Sequence, residues 1–244
     1  MMTTLKKEKI KMFAKQLKLP SFNNYSEVIR RLPNEASYED FLIEVMKEEI
    51  EERLSSSIQR RIKAARFPVV KSIDEFDCSR LEHISEAKLA SLASCDFIKD
   101  KQNIVMIGNP GSGKTHLATA LGINACRIGY KVKFCTAVNL AAELAEAAQA
   151  TRLTKYERTL SSVDLLIVDE LSYMTFNRYQ SEMLFQAISE RSERASVIVT
   201  TNLEFSKWTE LFENEMMVSA LVDRLTYHSH ILNMNCSRSY RLGG

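Results

Sequence analysis

The chain has 244 residues, of which 45% are hydrophobic and 26% charged, so it is long enough for one α/β domain with a core and a smaller appendage. The formal net charge is only +2, yet residues 1–70 carry 14 Lys and Arg against 10 Asp and Glu, which places the basic excess near the N-terminus. No stretch approaches the roughly 20 apolar residues of a membrane-spanning helix, and the Lys-rich start lacks the features of a signal peptide, so we expect a cytoplasmic protein without membrane contact.

The first part of the chain predicts helices separated by prolines. Residues 4–18 read as a short basic helix that ends before Pro20. Ser37 followed by Asp40 resembles a capping box, which predicts the start of a long helix that runs to about Ala65. We therefore expect an all-helical region over residues 1–68.

From residue 69 to residue 244, short β-branched runs alternate with helical patterns, which is typical of a parallel sheet flanked by helices. The expected helices include His116–Ile128, Val138–Ala150 and Tyr179–Arg191. The expected strands, about five in number, are Asn103–Ile107, Lys131–Cys135, Leu165–Asp169, Val197–Thr201 and His230–Met234.

One motif between the first strand and the helix after it fits the phosphate-binding pattern G-x-x-x-x-G-K-[ST]. Its glycines allow backbone amides to approach phosphate oxygens, Lys114 supplies a positive charge, and the Thr115 hydroxyl can bind Mg²⁺. The alternative is a chance match in a glycine-containing turn. The predicted ATP-binding residues are Gly108, Asn109, Pro110, Gly111, Ser112, Gly113, Lys114, Thr115 and His116.

Two further strands end in residues that suit ATP hydrolysis. Asp169 closes an apolar strand and is expected to hold Mg²⁺, while Glu170 is the candidate general base for the attacking water. Asn202 follows the next strand and is the candidate sensor of the γ-phosphate. The alternatives are a solvated acid pair and an ordinary turn-forming Asn.

Cysteine and histidine patterns give little support to a metal centre. Five cysteines occur without a C-x-x-C pair, so neither a zinc site nor a disulfide framework is indicated. His228 and His230 would share one face of a strand, but no further ligand is spaced to complete a site, so packing is the favoured interpretation.

Several segments together resemble one family over nearly the whole chain. They are Leu17–Pro20, Arg60–Pro68, Gly108–Thr115, Val168–Leu171, Thr200–Leu203, Val222–Leu225 and Ser239–Leu242. The chain is similar to the IstB-type transposition helper ATPases, in the initiator and helicase-loader branch of the AAA+ ATPases. The resemblance implies a P-loop AAA+ core with a reduced lid, which forms an oligomer with ATP on double-stranded DNA and assists a partner transposase.

The resemblance also assigns roles that the residue patterns alone leave open. Arg224 matches the arginine finger that reaches the ATP of a neighbouring subunit, although an exposed pair with Asp223 is the alternative. Phe76 and Asp77 are candidates for adenine contacts. The candidate DNA contacts, each of which could equally lie on a solvated helix face, are Arg60, Arg61, Lys63, Arg66, Arg152, Lys155 and Arg158.

Other functions stay open at the level of sequence. A helicase loader of the same branch would have the same chemistry with a different partner. A nucleotide-gated DNA-binding scaffold would bind ATP with negligible turnover, which Glu170 argues against. A small-molecule kinase is disfavoured because no Arg-rich lid or acceptor pocket is visible after the second acidic motif.

Overall fold

The computed structural model describes residues 2–77, 81, 83–171, 176–210, 212 and 214–236. Ser239–Leu242, one of the segments that carry the family resemblance, therefore lies outside the described residues, as does Cys78. Contacts within the chain divide it into two compact units, residues 1–60 and residues 61–244. The expected boundary after residue 68 stays a prediction. Within the described residues, no helix is both long enough and apolar enough to cross a membrane.

The first unit is helical, as the sequence predicts. It contains α1 (Met2–Leu17), α2 (Tyr25–Arg31) and most of α3 (Tyr38–Ala65). The capping box at the start of α3 is confirmed, because the Asp40 amide donates to Ser37 Oγ at 3.1 Å and the Ser37 amide donates to Asp40 Oδ2 at 2.9 Å.

A buried carboxylate holds the helices of this unit together. Glu49 on α3 accepts from the Ser21 amide at 3.0 Å and from Arg53 Nε at 2.7 Å. A second nitrogen of Arg53 donates to the Lys18 carbonyl oxygen at 2.6 Å, just after α1 ends. The chain between α1 and α2 is thus tied to the middle of α3 by charge-assisted hydrogen bonds.

The second unit is built on a five-stranded, all-parallel sheet in the order β2-β3-β4-β1-β5, which confirms the predicted fold class. The strands are β1 (Asn103–Ile107), β2 (Val132–Thr136), β3 (Leu165–Asp169), β4 (Ser196–Thr201) and β5 (Ser229–Asn233). The helices are α4 (Glu86–Ala93), α5 (Asp96–Lys99), α6 (Lys114–Ile128), α7 (Ala137–Gln149), α8 (Leu153–Ser161), α9 (Arg178–Arg194) and α10 (Glu215–Tyr227). Every predicted strand is present, with ends shifted by at most one residue.

Both faces of the sheet are buried, as expected for parallel strands with helical connections. Ile104 and Met106 of β1 belong to one core cluster together with Leu117 of α6. Val105, which points to the opposite face, belongs to a second cluster together with Leu184 of α9. Helix α6 therefore covers one face, and α7, α9 and α10 cover the other.

The strand order brings the expected site together. Because β4 lies between β1 and β3, the carboxyl ends of these three strands are neighbours at one edge of the sheet. Asp169 is the last residue of β3, and the segments that follow the three strands carry the phosphate-binding motif, Glu170 and Asn202.

Candidate functional site

The phosphate-binding motif forms a loop between β1 and the first turn of α6. Gly111 and Gly113 have φ angles of 80° and 89°, in the left-handed region that glycine adopts without strain. Gly108 is needed for a different reason, since a Cβ there would lie 2.6 Å from the carbonyl carbon of Met234 and 2.7 Å from its oxygen. The loop thus packs closely against the chain that follows β5.

Lys114 is the first residue of α6, and its ammonium group lies inside the loop. Its Nζ donates to the carbonyl oxygens of Gly108 at 2.6 Å and Asn109 at 2.8 Å, and the residue is 8% exposed. A phosphate oxygen is a stronger partner for an ammonium group than a carbonyl oxygen, because the hydrogen bond is then charge-assisted at both ends. The loop therefore holds a buried positive charge where a phosphate group would bind.

Thr115 and Asp169 meet across the sheet edge. Thr115 Oγ1 lies 3.0 Å and 3.1 Å from the two carboxylate oxygens of Asp169, which is 3% exposed. Burial raises the pKa of Asp169, while hydrogen bonds from Thr200 and Thr115 and the charge of Lys114 act in the opposite direction. A hydroxyl beside a carboxylate is a pair of hard oxygen donors, so these two residues fit Mg²⁺.

Thr200 is a site residue that the sequence reasoning missed. It lies on β4, and its Oγ1 donates to Asp169 Oδ1 at 2.5 Å and accepts from the Glu170 amide at 2.9 Å. Its carbonyl oxygen also accepts from the Leu171 amide at 2.9 Å. Thr200 thus holds the turn in which Glu170 adopts a left-handed backbone with φ 59°, a conformation that costs about 1 kcal/mol for a residue other than glycine.

A weak sequence signal could have indicated this role. Thr200 is a buried hydroxyl residue that directly follows the apolar run Val197–Val199, two positions before the candidate sensor Asn202. Buried hydroxyl groups require hydrogen-bond partners, and the neighbouring strand ends in a carboxylate. Which strand is the neighbour, however, follows from the strand order and not from the local pattern.

A cavity of about 590 Å³ collects most of the predicted ATP-site residues. Pro68, Val69 and Lys71 also line the cavity, although they were not among the predicted ATP-site residues. Phe76 is buried and packs edge-to-face on the His116 ring, with centroids 5.4 Å apart, and neither Phe76 nor Asp77 lines the cavity. The residues that line it are Pro68, Val69, Lys71, Pro110, Gly111, Ser112, Gly113, Lys114, Thr115, His116, Thr119, Glu170, Thr200, Thr201 and Asn202.

Arg224 is not among these residues. It lies on α10, its Nε donates to Glu193 Oε1 of α9 at 2.8 Å, and its guanidinium carbon lies 5.9 Å from the centre of the Phe185 ring. The ion pair is therefore with Glu193, and not with the adjacent Asp223 that the sequence suggested as the alternative. The Arg224 side chain is 39% exposed, so its outer part is open to solvent.

The candidate DNA contacts differ in how freely they face solvent. Arg61 Nε donates to the Cys126 carbonyl oxygen at 2.8 Å, so this side chain is tied to α6. Arg66 NH1 lies 3.8 Å from Glu143 Oε1. The exposed members are Arg60, Lys63, Arg66, Arg152, Lys155 and Arg158.

The second histidine of the His-x-His pair, His230, is engaged in hydrogen bonding within the second unit. His230 Nδ1 lies 2.8 Å from Lys88 Nζ, and its Nε2 lies 3.0 Å from Gln102 Oε1. Burial and the Lys88 charge lower the pKa of His230, which favours the neutral ring. Among the described residues, no group of three or more His, Cys, Asp or Glu is placed to hold a metal ion.

A match to a known protein family assigns the chain to that family. The family described as "IstB-like ATP binding protein" matches residues 12–243. The chain belongs to the IstB-like ATP-binding family. The resemblance expected from the sequence motifs is thereby confirmed.

Individual relatives of this IstB-like chain come from bacterial insertion sequences. It is 38% identical over 206 residues to a Geobacillus stearothermophilus protein named as the ATP-binding protein of insertion sequence IS5376, covering 84% of this chain and 82% of that protein. It is 36% identical over 208 residues to the corresponding IS21 protein of Pseudomonas aeruginosa, covering 85% and 78%.

Two solved structures share the fold of this chain. The AMPPCP-bound DnaA of Aquifex aeolicus aligns with a TM-score of 0.57 at 19% identity, over 72% of this chain and 53% of that chain. The DnaC helicase loader aligns with a TM-score of 0.50 at 17% identity, over 73% of this chain and 99% of that chain. At these identities, the likeness concerns the fold alone.

Proposed function

We propose that this IstB-like protein is a cytoplasmic ATPase that assembles on double-stranded DNA and assists a partner transposase during insertion-sequence transposition. The observation that carries the proposal is a cavity lined by Lys114, Thr115 and Glu170. The buried Asp169 carboxylate lies directly behind it, 3.0 Å from Thr115 Oγ1. Membership of the IstB-like family and the names of its insertion-sequence relatives support the transposition context.

The loop and the two oxygen ligands divide the binding of MgATP between them. Loop amides and Lys114 would bind the β- and γ-phosphates, while the Thr115 hydroxyl and the Asp169 carboxylate would hold Mg²⁺. The metal, when bound, neutralises charge on the phosphate oxygens. Lys114 must exchange its carbonyl partners for phosphate oxygens when ATP binds, so nucleotide binding should reorder the loop.

Hydrolysis requires a base and a group that senses the γ-phosphate. Glu170 is exposed at the cavity wall, and its carboxylate is the proposed acceptor of the proton from the attacking water. Asn202 follows β4, the strand between the loop strand β1 and the Asp169 strand β3. An amide at that place can bind the γ-phosphate and the water together.

Arg224 is proposed to act on the ATP of a neighbouring subunit in a homo-oligomer. Its absence from the cavity of its own chain and its part-exposed guanidinium both fit a role in trans. A positive charge supplied there would stabilise negative charge that develops during phosphoryl transfer. The Glu193 pair would have to open first, which costs little because exposed ion pairs contribute only about 0.2–1 kcal/mol.

Phosphate release measured with and without duplex DNA tests the ATPase proposal. Lys114→Ala should abolish binding of a fluorescent ATP analogue. Glu170→Gln should retain binding but lower phosphate release about 100-fold, as expected for loss of a general base. Glu204→Gln is a matched control, since Glu204 is exposed and lies outside the cavity. Negligible turnover by the wild type would favour a nucleotide-gated scaffold, whereas equal, measurable turnover by Glu170→Gln and wild type would indicate a different base.

Mixing two inactive variants tests the oligomer. Lys114→Ala supplies an intact finger and Arg224→Ala supplies an intact loop, so their mixture should regain part of the ATPase activity. Arg178→Ala, which removes a strongly exposed arginine from α9, should be active alone. A mixture without activity would contradict the finger in trans.

Pull-down experiments with the full chain test which protein it binds as a partner. Binding to the transposase of the same insertion sequence in the presence of ATP and DNA supports the helper function. Binding to a replicative helicase instead would support the helicase-loader alternative.

A further inference from the structure

One acidic side chain lies in the middle of a basic surface on the second unit. We call it the α7–α8 surface and define it by two adjoining cavities, of about 540 and 320 Å³, that share Glu143, Tyr156 and Thr159. Its basic residues are Arg61, Arg66, Lys131, Lys133, Arg152 and Lys155. The surface therefore joins the two candidate DNA-contact clusters, which lie almost ninety residues apart in the sequence, and adds two lysines of the β2 region to them.

The charge of this surface is strongly one-sided. Its six basic residues face only two acidic ones, Glu143 and Glu146, whereas the whole chain has a formal net charge of +2. A local excess of positive charge on a nearly neutral chain is the electrostatic pattern that binds a nucleic-acid backbone.

Three donors converge on Glu143, which lies on α7. Lys133 Nζ donates to Glu143 Oε2 at 2.8 Å, the Tyr156 hydroxyl donates to the same oxygen, and Arg66 NH1 lies 3.8 Å from Oε1. Lys133 Nζ also lies 5.1 Å from the centre of the Tyr156 ring. Burial raises the pKa of Glu143, but the bonds from Lys133 and Tyr156 outweigh it and hold the pKa below its ordinary value, so the carboxylate is charged.

An ammonium, a guanidinium and a hydroxyl form a donor set that suits a phosphate oxygen as well as a carboxylate. The Lys133 side chain is only 15% exposed, so its charge needs a close partner, and Glu143 provides it. A DNA phosphate at this surface would meet the same donors together with a like charge on Glu143. The two anions therefore compete for Lys133 and Arg66.

We propose that Glu143 is an internal counterion of the α7–α8 surface, which pairs with Lys133 and Arg66, offsets one of their two positive charges and thereby limits the affinity for duplex DNA. The inference rests on the DNA binding of the proposed function. The proposed function names residues that strengthen DNA binding, whereas Glu143 would weaken it. A helper that must release its target after use has a physical reason to keep this affinity moderate.

Fluorescence anisotropy with a labelled duplex, in ATP and Mg²⁺ at several salt concentrations, tests the proposal. Glu143→Gln keeps an acceptor for Lys133 and Tyr156 but removes the charge, so it should bind about 3- to 5-fold tighter at low salt, as an added ion pair predicts. The salt dependence should steepen by about 0.9 in log–log slope for one additional phosphate contact. Glu146→Gln is the matched control, with the same charge change on the same helix, and should give a smaller gain.

A double-mutant comparison separates this role from a structural one. Lys133→Gln alone should leave the salt slope unchanged, because the Lys133 charge is already neutralised, but it should remove the gain in the Glu143→Gln background. This measurement on Lys133→Gln remains informative even if Glu143→Gln fails to fold.

Three results would overturn the inference. The first is an equal change in DNA affinity from Glu143→Gln and Glu146→Gln. The second is no gain in DNA affinity from a folded Glu143→Gln protein. The third is a log–log salt slope reduced by about 0.9 in Lys133→Gln alone. If the wild type itself binds no duplex, the DNA step of the proposed function fails and the counterion role fails with it. If the wild type binds and the variants behave in one of these three ways, only the counterion role fails.

Discussion

Replacement of Thr200 by Val tests whether the hydroxyl between the two acidic residues positions them. Val has nearly the same shape as Thr, and Thr200 is 1% exposed, so the main change is the loss of the hydroxyl group. Two hydrogen bonds disappear, one to Asp169 Oδ1 and one from the Glu170 amide. The β4 backbone bond to the Leu171 amide remains.

The expected loss of folding free energy follows from the type of each hydrogen bond that Thr200→Val removes. A hydrogen bond to a charged group contributes about 1.5–3 kcal/mol, and a backbone donor left without a partner costs about 1–3 kcal/mol. Because the Glu170 amide is only partly buried, water can replace part of its lost bond. We therefore expect Thr200→Val to lower the free energy of unfolding by about 2–4 kcal/mol.

The effect on catalysis should exceed the effect on ATP binding. Without the hydroxyl, the left-handed turn at Glu170 is less constrained, and a misplacement of about 1 Å can lower a rate by about 100-fold. We expect kcat for ATP hydrolysis to fall about 10- to 100-fold, with little change in the affinity for a fluorescent ATP analogue.

The pH profile provides an independent readout. Thr200 donates one of the hydrogen bonds that lower the pKa of Asp169, so its loss should raise that pKa further. The acidic limb of the ATPase profile should then move to higher pH. Thr200→Ser is the control, because it keeps the hydroxyl and should retain most of the activity. A Thr200→Val protein with wild-type kcat and wild-type pH profile would refute the positioning role.

Three further predictions concern packing and titration. Gly108→Ala should lower the melting temperature and weaken ATP binding, because the new Cβ would lie 2.6 Å from the Met234 carbonyl carbon. Calorimetry measures the melting temperature, and titration with nucleotide measures the affinity. Unchanged values of both would contradict the close approach. Burial raises the pKa of Glu49, but hydrogen bonds from Arg53 and the Ser21 amide outweigh it and hold the pKa below its ordinary value of 4.5. The charged Glu49 carboxylate should therefore stabilise the fold fully above that pH. This contribution should be lost as the pH falls through the lower pKa of the folded state. Thermal melts of wild type and Glu49→Gln should therefore converge in acid, and a constant difference would contradict this. Burial raises the pKa of Cys135 to about 12, so in the folded protein its thiol should resist alkylation at about pH 8 until denaturant is added, as mass spectrometry can follow.

Much of the fold was predictable because its signals are local. The strands Leu165–Asp169 and Asn103–Ile107 each contain four consecutive apolar residues, and the structure has these strands at the predicted positions. The capping box at Ser37 and the loop before Lys114 are also defined by residues a few positions apart. Such patterns specify backbone conformation within one element, which is why they can be read without knowledge of the neighbouring elements.

Contacts between distant segments were not predictable in this way. Thr200 meets Asp169 because β4 inserts between β1 and β3, and nothing in either strand states that order. Likewise, Arg66 and Tyr156 meet at Glu143 because the end of α3 and the helix α8 both approach α7. The partner of Arg224 is Glu193 on another helix, although Asp223 is adjacent in sequence.

The amino-acid pattern alone was therefore enough to predict the family, the strands and the phosphate-binding loop, since each depends on residues that are close along the chain. Which side chains share a hydrogen bond or compete for a charge depended on the packing of the sheet and its helices. Hydrogen bonds and ion pairs act over a few ångströms in space, and the distance in sequence does not set that separation.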